Sequence, residues 1–227
     1  MWANARSWSR TTAHRSIRGI IAAGLALAVF WDGSPAGAAQ QPQPALSAED
    51  QATVDTIEGY LNDLTTVHGR FIQSNADGSY IEGDFFLERP GRMRFEYDDP
   101  VPFLLVADGS DFIYVDRKLE QVTYLPLSQT PAYFLLRDEF SFGDGLRLTG
   151  FRHEAGLYRL QIIQDDEPDA GSITLTFTDR PLSLRQWTVV DAQGAATRVT
   201  LVQPQFGVPL QRDLFRFVNP WRGKNRD

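Results

Sequence analysis

Tyr80-Ile81-Glu82-Gly83-Asp84-Phe85-Phe86-Leu87-Glu88-Arg89-Pro90-Gly91-Arg92-Met93-Arg94-Phe95-Glu96-Tyr97 decides the reading of this chain. Side chains along a strand alternate between two faces. In the first run Ile81, Gly83, Phe85, Leu87 and Arg89 share one face, and Tyr80, Glu82, Asp84, Phe86 and Glu88 share the other. Pro90-Gly91 then turns the chain. Met93, Phe95 and Tyr97 follow on one face, against Arg92, Arg94 and Glu96 on the opposite one. This is a β-hairpin with one apolar face, and Arg89 falls by parity on the apolar side. An unpaired charge there is costly, so its guanidinium must find acceptors or reach a wet rim.

The same style extends in both directions. Strand-like runs are predicted at 67–75, 79–89, 92–98, 102–107, 111–117 and 119–125, then at 146–153, 157–165, 171–178, 182–191 and 195–203, with a last short run at 214–218. Asp77-Gly78, Asp99-Pro100, Asp108-Gly109, Gly156, Asp179-Arg180-Pro181 and Gln193-Gly194 punctuate them. About eleven or twelve short strands at meander spacing, with no helix between most of them, specify an antiparallel sheet. The fold class is mainly β with short helices.

Two segments have a different period. Val54, Ile57, Leu61 and Leu64 recur at helical spacing behind Ser47-Ala48-Glu49-Asp50, a capping sequence, which predicts a helix over roughly 48–65. Ser128 to Asp138 reads as a short helix with Thr130 as cap and Pro131 in its first turn. Tyr133, Phe134, Leu135 and Leu136 make it apolar most of the way round, so it needs apolar surroundings on more than one side.

The first residues carry Arg6, Arg10, Arg15 and Arg18, then an apolar run from Ile20 to Trp31, then Ala36-Gly37-Ala38. That is the order of a secretory signal peptide, with cleavage expected after Ala38. The apolar run is short for a membrane span. Residues 39–45 read as a Pro/Gln linker, 46–222 as one domain, and 223–227 as a polar tail. Removing 1–38 takes Lys plus Arg from 22 to 18 and Asp plus Glu from 29 to 28, leaving a net charge of about −10. A body this acidic repels phosphate backbones and anionic lipid surfaces. The chain has no cysteine, so neither a disulfide nor lipidation at the cleavage site is available to it.

Catalytic signatures are thin. His14 lies in the leader; His68 and His153 stand apart on strands, outside any H-x-x-H arrangement. There is no nucleophile elbow, P-loop or dinucleotide fingerprint. Asp165-Asp166-Glu167-Pro168-Asp169 lacks the spacing of a calcium loop and reads as a solvated turn. No cofactor and no metal is expected, and the function class is binding rather than catalysis. A secreted hydrolase on a β-sandwich is the rival from another class.

Several segments together resemble one family. Val67-His68-Gly69-Arg70-Phe71-Ile72-Gln73 resembles the opening strand of the LolA family of periplasmic outer-membrane lipoprotein carriers. Glu82 to Pro90 is similar to its strand ending in R-P, Val106-Ala107-Asp108-Gly109 to Tyr114 to its D-G turn and aromatic strand, and Glu120-Gln121 and Thr130-Pro131 to Leu136 to its later strand and lid helix. The likeness runs over about residues 46–218.

The resemblance implies an unclosed antiparallel barrel of about eleven strands covered by a helical lid. It implies a soluble, monomeric periplasmic chaperone that shields lipoprotein acyl chains and carries them from inner to outer membrane. An ATP-driven inner-membrane exporter would load it and an outer-membrane acceptor would unload it. In that reading Arg89 is a latch on the lid that bears Tyr133, Phe134, Leu135 and Leu136. Met93, Phe95 and Trp187 match positions lining the interior, and Phe85 and Leu87 join them by parity. A binding protein or sensor for another lipid or glycolipid on the same fold is the second reading. Some members carry a longer strand-and-helix extension than the Asn219-Pro220-Trp221 and polar tail that follow Phe215-Arg216-Phe217 here.

Overall fold

The computed structural model of the chain describes residues 45–222; the expected leader and its cleavage site, residues 39–44 and the tail at 223–227 lie outside them. Helix α1 (Ala48–Asp63) opens where Ser47 takes extended dihedrals and its hydroxyl oxygen accepts the Asp50 N–H at 3.1 Å, satisfying a donor of the first turn. Glu49 and Asp50 sit at the positive end of the helix dipole. Val54, Ile57 and Leu61 are its buried stripe. Leu64 leaves helical dihedrals, and the chain enters strand β1 (Thr66–Ser74).

Ten further strands follow: β2 (Tyr80–Glu88), β3 (Arg92–Tyr97), β4 (Phe103–Asp108), β5 (Asp111–Asp116), β6 (Gln121–Pro126), β7 (Leu146–Glu154), β8 (Leu157–Gln164), β9 (Gly171–Asp179), β10 (Leu182–Asp191) and β11 (Ala196–Phe206). They form one antiparallel sheet in the order β6-β5-β4-β3-β2-β1-β11-β10-β9-β8-β7. Only the β1–β11 pairing joins strands distant in sequence; every other neighbour is a hairpin partner. The end strands β6 and β7 do not pair with each other, so the sheet is an unclosed barrel.

Strand curvature is set at specific points. Gly83 stands opposite Tyr97, and a Cβ there would come within 2.1 Å of the Glu96 carbonyl oxygen, so only glycine allows this approach. The β1–β11 register shifts between His68 and Arg70, β9–β10 between Leu184 and Gln186, and β7–β8 between Leu148 and Gly150. Such bulges bend and twist a strand locally.

Two elements depart from the sequence reading. The expected helix at 128–138 is a 3-10 turn (Leu127–Gln129) followed by one α-turn, α2 (Tyr133–Leu136). Thr130 does not cap it: its hydroxyl donates to the Leu127 carbonyl at 2.8 Å, and the N-cap is Ala132, with Pro131 before it. The 3-10 turn has already used Thr130 for its own closure. The run at 214–218 is not a strand. A 3-10 turn (Arg212–Phe215) occupies its start. Strand β11 is paired on both sides, by β1 and β10, so no free edge is left beside the chain for this segment to join.

The main core lies on the inner face of the sheet. It holds Val67 and Phe71 of β1, Phe85 and Leu87 of β2, Leu160 and Ile162 of β8, and Leu175 and Phe177 of β9, together with α1 and α2. A second, smaller cluster lies on the outer face: Leu104 and Val106 of β4 with Ile113 and Val115 of β5, covered by Val122, Phe217 and Trp221.

Candidate functional site

The inner face of β2 and β3 carries the residues singled out by parity. Phe85 and Leu87 are each 1% exposed, Met93 4% and Phe95 5%, and Trp187 of β10 is 6% exposed. The rings meet: Phe85 to Phe95 at 4.8 Å, Phe85 to Trp187 at 5.4 Å and Phe95 to Trp187 at 6.2 Å between centroids. Phe71 stands edge-on to Phe95 at 4.9 Å. Strands separated in sequence by about a hundred residues thus contribute to one aromatic wall, because the sheet curls until β10 faces β2 and β3. In this conformation the wall is closed to solvent.

Arg89 is where the alternation ends in a charge. Its Nε and Nη2 donate to the Arg137 carbonyl at 3.0 and 2.6 Å, Nη2 also reaches the Asp138 carbonyl at 3.3 Å, and Nη1 donates to the Leu61 carbonyl. One guanidinium therefore ties the last turn of α1 to the chain leaving α2. The Leu61 carbonyl belongs to the group that a helix end leaves without an intrahelical partner, and Arg89 serves it. Burial pulls the Arg89 pKa below the usual guanidinium value, against the pull of the Asp138 carboxylate; an arginine stays charged regardless. Close by, the Gly91 N–H donates to the Leu136 carbonyl at 2.9 Å.

The residues of α2 divide. Phe134, Leu135 and Leu136 are buried in the main core, whereas Tyr133 is 37% exposed and its ring lies under the Arg137 guanidinium at 5.8 Å. The structure thus brings all ten sequence-derived residues to one region, with Tyr133 at its surface.

Sequence reasoning missed the second attachment of this segment. Asn62 of α1 makes a reciprocal pair with Phe140: its Nδ2 donates to the Phe140 carbonyl at 2.9 Å, and its Oδ1 accepts the Phe140 N–H at 2.7 Å. Glu58 accepts the Phe142 N–H at 3.0 Å. Phe140 is 1% exposed and stands edge-on to Phe142 at 5.1 Å. The alternation Phe140-Ser141-Phe142 was the available signal; Asn62 gave none, since its partners are backbone atoms 78 residues away.

The inner face continues past the wall towards β6, and there it is only partly covered. Phe103 and Leu105 of β4 and Phe112 of β5 pack against the core but remain half-buried. Tyr97 at the border donates to Gln73 Oε1 at 2.8 Å, and burial raises its phenol pKa above the usual value. The Tyr114 hydroxyl is buried without a hydrogen-bond partner, and burial raises its pKa as well.

Among the described residues no three His, Cys, Asp or Glu side chains stand together as a metal site requires. His68 stacks on Phe86 at 4.5 Å, and His153 lies against Tyr158 at 4.3 Å with Asp179 at 3.5 Å. A cleft of about 180 Å³ lies between α1 and the ends of β8 to β10, lined by Thr53, Thr56, Ile57, Tyr158, Asp179 and Leu182. It is separate from the aromatic wall. No described helix is long and apolar enough to cross a membrane.

The family model described as outer membrane lipoprotein carrier protein LolA matches residues 62–218. This chain belongs to the LolA family. Relatives in the family include the outer-membrane lipoprotein carrier proteins of Pseudomonas aeruginosa strain PAO1, 29% identical over 182 residues covering 76% of this chain and 86% of the relative, and of Methylococcus capsulatus, 28% identical over 173 residues covering 72% and 82%. Among solved structures, a LolA superfamily protein from Nitrosomonas europaea aligns with a TM-score of 0.40 at 11% identity, over 72% of this chain and 97% of its own. The matched span contains every residue of the aromatic wall, Arg89 and α2.

Proposed function

We propose that this chain is a non-enzymatic periplasmic carrier, delivered by a cleaved signal peptide, that shields the acyl chains of lipoproteins against the inner face of its sheet during transfer from inner to outer membrane. The observation that carries this reading is the Arg89 clamp: one guanidinium holding the carbonyls of Leu61, Arg137 and Asp138. In the closed state α2 supplies Phe134, Leu135 and Leu136 to the core. Releasing Arg137 and Asp138 frees the segment that bears them and uncovers Phe85, Leu87, Met93, Phe95 and Trp187 for an acyl chain.

The magnitudes favour a partial enclosure. A sixteen-carbon chain buried completely gains on the order of 12 kcal/mol, at about 0.8 kcal/mol per CH2. Several chains held that tightly would not be given up. Hydrogen bonds to a charged group contribute about 1.5–3 kcal/mol each. A clamp of that size, competing with acyl chains for the same interior, offsets part of the binding free energy and so makes release possible. The partners in this reading are the acyl chains of the client, an ATP-driven inner-membrane exporter and an outer-membrane acceptor, with the carrier as a monomer.

Arg89→Leu tests it. The variant is expected to keep a native circular dichroism spectrum while transfer of a lipoprotein from carrier to acceptor falls. A variant that simply unfolds makes Arg89 a structural residue and ends the latch proposal. Phe134→Glu is expected to weaken binding of a fatty-acid probe at unchanged fold; unchanged affinity removes α2 from the lid. Mass spectrometry of material co-purifying from the periplasm identifies the cargo, and a glycolipid there in place of lipoprotein would favour the second reading.

A further inference from the structure

The sheet has two ends, and they are defended differently. An end strand presents unpaired N–H and C=O groups, which proteins usually guard with charges, bulges or cover. Strand β7 is guarded: it carries Arg147, Arg152 and Glu154, and its pairing with β8 is broken by a register shift between Leu148 and Gly150. Strand β6, Gln121-Val122-Thr123-Tyr124-Leu125-Pro126, holds no charged residue, and its pairing with β5 runs unbroken from Asp111 opposite Pro126 to Asp116 opposite Gln121. Among the described residues nothing pairs with its outer edge. Tyr124 is 50% exposed and Leu119, in the turn before the strand, 61%.

The phase of the ladder says which groups are free. The Leu127 N–H donates to the Ser110 carbonyl at 2.9 Å, in the same register as the strand pairs. By the alternation of antiparallel pairing, Gln121, Thr123 and Leu125 direct their backbone groups towards β5, and Val122 and Tyr124 direct theirs outwards. Leu125 and Thr123 lie opposite Phe112 and Tyr114, so the strand borders the half-buried end of the inner face.

We propose that the outer edge of β6 pairs, as an added strand, with the extended polypeptide that adjoins the acyl chains of the client. The inference rests on the carrier reading. Acyl chains lying on Phe103, Leu105 and Phe112 are covalently attached to a polypeptide, and that attachment delivers its first residues to the rim formed by β6. Backbone pairing holds any sequence through its main chain, with little demand on side chains. One carrier can thereby accept clients that share only their lipid. The negative charge of the chain opposes the alternative of an anionic lipid surface at this edge.

The test compares two probes on the purified protein: tripalmitoyl-cysteinyl octapeptide with a polar tail, and tripalmitoyl-cysteine amide without one. The expected result is roughly tenfold tighter binding of the lipopeptide, consistent with a few added backbone hydrogen bonds. Tyr124→Pro removes one outward N–H and leaves the ladder to β5 intact, so it should bring lipopeptide affinity down to that of the amide without changing the amide's own affinity. An octapeptide N-methylated at alternate residues should bind the unaltered protein like the amide; it gives the same reading if Tyr124→Pro does not fold. Equal binding of both probes overturns the edge proposal and leaves the carrier reading standing. Binding of neither overturns both. A dimer in solution that Tyr124→Pro dissolves would assign the edge to a second copy of the chain and overturn the proposal as well.

Discussion

The two flanks of the sheet obey the same alternation and use it differently. On the β8–β10 flank most of the buried apolar residues point one way. Leu160, Ile162, Ile173, Leu175, Phe177 and Leu184 are at most 1% exposed, and α1 lies over them. Tyr60 of α1 stands edge-on to Phe177 at 5.8 Å, and its hydroxyl accepts the Leu184 N–H at 3.1 Å. The opposite face of that flank is mostly polar, with Thr174 and Thr176 on β9 and Gln186 and Thr188 on β10, beside a buried Ile163 on β8. On the β4–β5 flank both faces are apolar. The outer one is sealed by Phe217 and Trp221 of the C-terminal segment, while the inner one stays half-open. One flank is therefore a finished core, and the other keeps accessible apolar surface on the side where cargo is proposed to lie. Apolar surface left accessible on a folded protein usually marks a binding region.

The contrast can be broken most sharply in the α1-covered flank. Phe177→Ala should cost about 3–5 kcal/mol of unfolding free energy, because the ring is fully enclosed and the cavity cannot collapse. Phe112→Ala, half-buried on the other flank, should cost less than half as much while weakening a fatty-acid probe. Urea melts of the two variants decide this, and equal costs would mean that the flanks are packed alike.

Next in size is the outer seal. Trp221→Ala should cost about 1–2 kcal/mol, in keeping with its partial burial, and should raise amide exchange in β4 and β5 without changing lipid-probe affinity. A loss of probe affinity would show that the outer cluster and the inner face are coupled. Asn62→Ala removes both hydrogen bonds to Phe140 and leaves that backbone unpaired, at about 1–2 kcal/mol. Its expected signature is faster exchange at Phe140 with β8–β10 unchanged.

The smallest effect is electrostatic. Partial burial raises the Glu96 pKa, but the Arg94 and Arg117 guanidiniums outweigh it and hold the carboxyl below its ordinary value of 4.5. A depressed folded-state pKa contributes stability that is present above 4.5 and lost as pH falls through the folded value. Arg94 also donates to the Leu214 carbonyl at 3.1 Å, so protonating Glu96 loosens one anchor of the C-terminal segment. Glu96 is 40% exposed on its side chain, so the loss should stay below about 1 kcal/mol. Melts at successive pH values from 6 downwards should show it in the unaltered protein and not in Glu96→Gln.

Much of the fold was legible because strands write their periodicity directly into the sequence. The hairpin from Tyr80 to Tyr97 showed its inner face, and burial of Gly83, Phe85, Leu87, Met93, Phe95 and Tyr97 follows that parity. The odd position of Arg89 was visible for the same reason. A further signal went unread: Val101 to Ala107 is apolar without alternation, as a strand buried on both faces must be. Such a run does not say what covers the second face. The answer is Phe217, inside the run at 214–218 that sequence alone read as an extra strand, together with Trp221 just beyond it.

The amino-acid sequence by itself determined the strands, their turns, the one amphipathic helix and the side of each strand that turns inwards, since all of these follow from residue spacing over short distances. Only the tertiary structure decided what meets the inward side chains. Arg89 reaches backbone carbonyls of Leu61, Arg137 and Asp138, and a carbonyl acceptor is the same atom whatever the residue. Trp187 meets Phe85 because the curled sheet brings β10 round to β2. The free edge of β6 exists because, among the described residues, no other strand closes the barrel, and that depends on how the whole sheet coils.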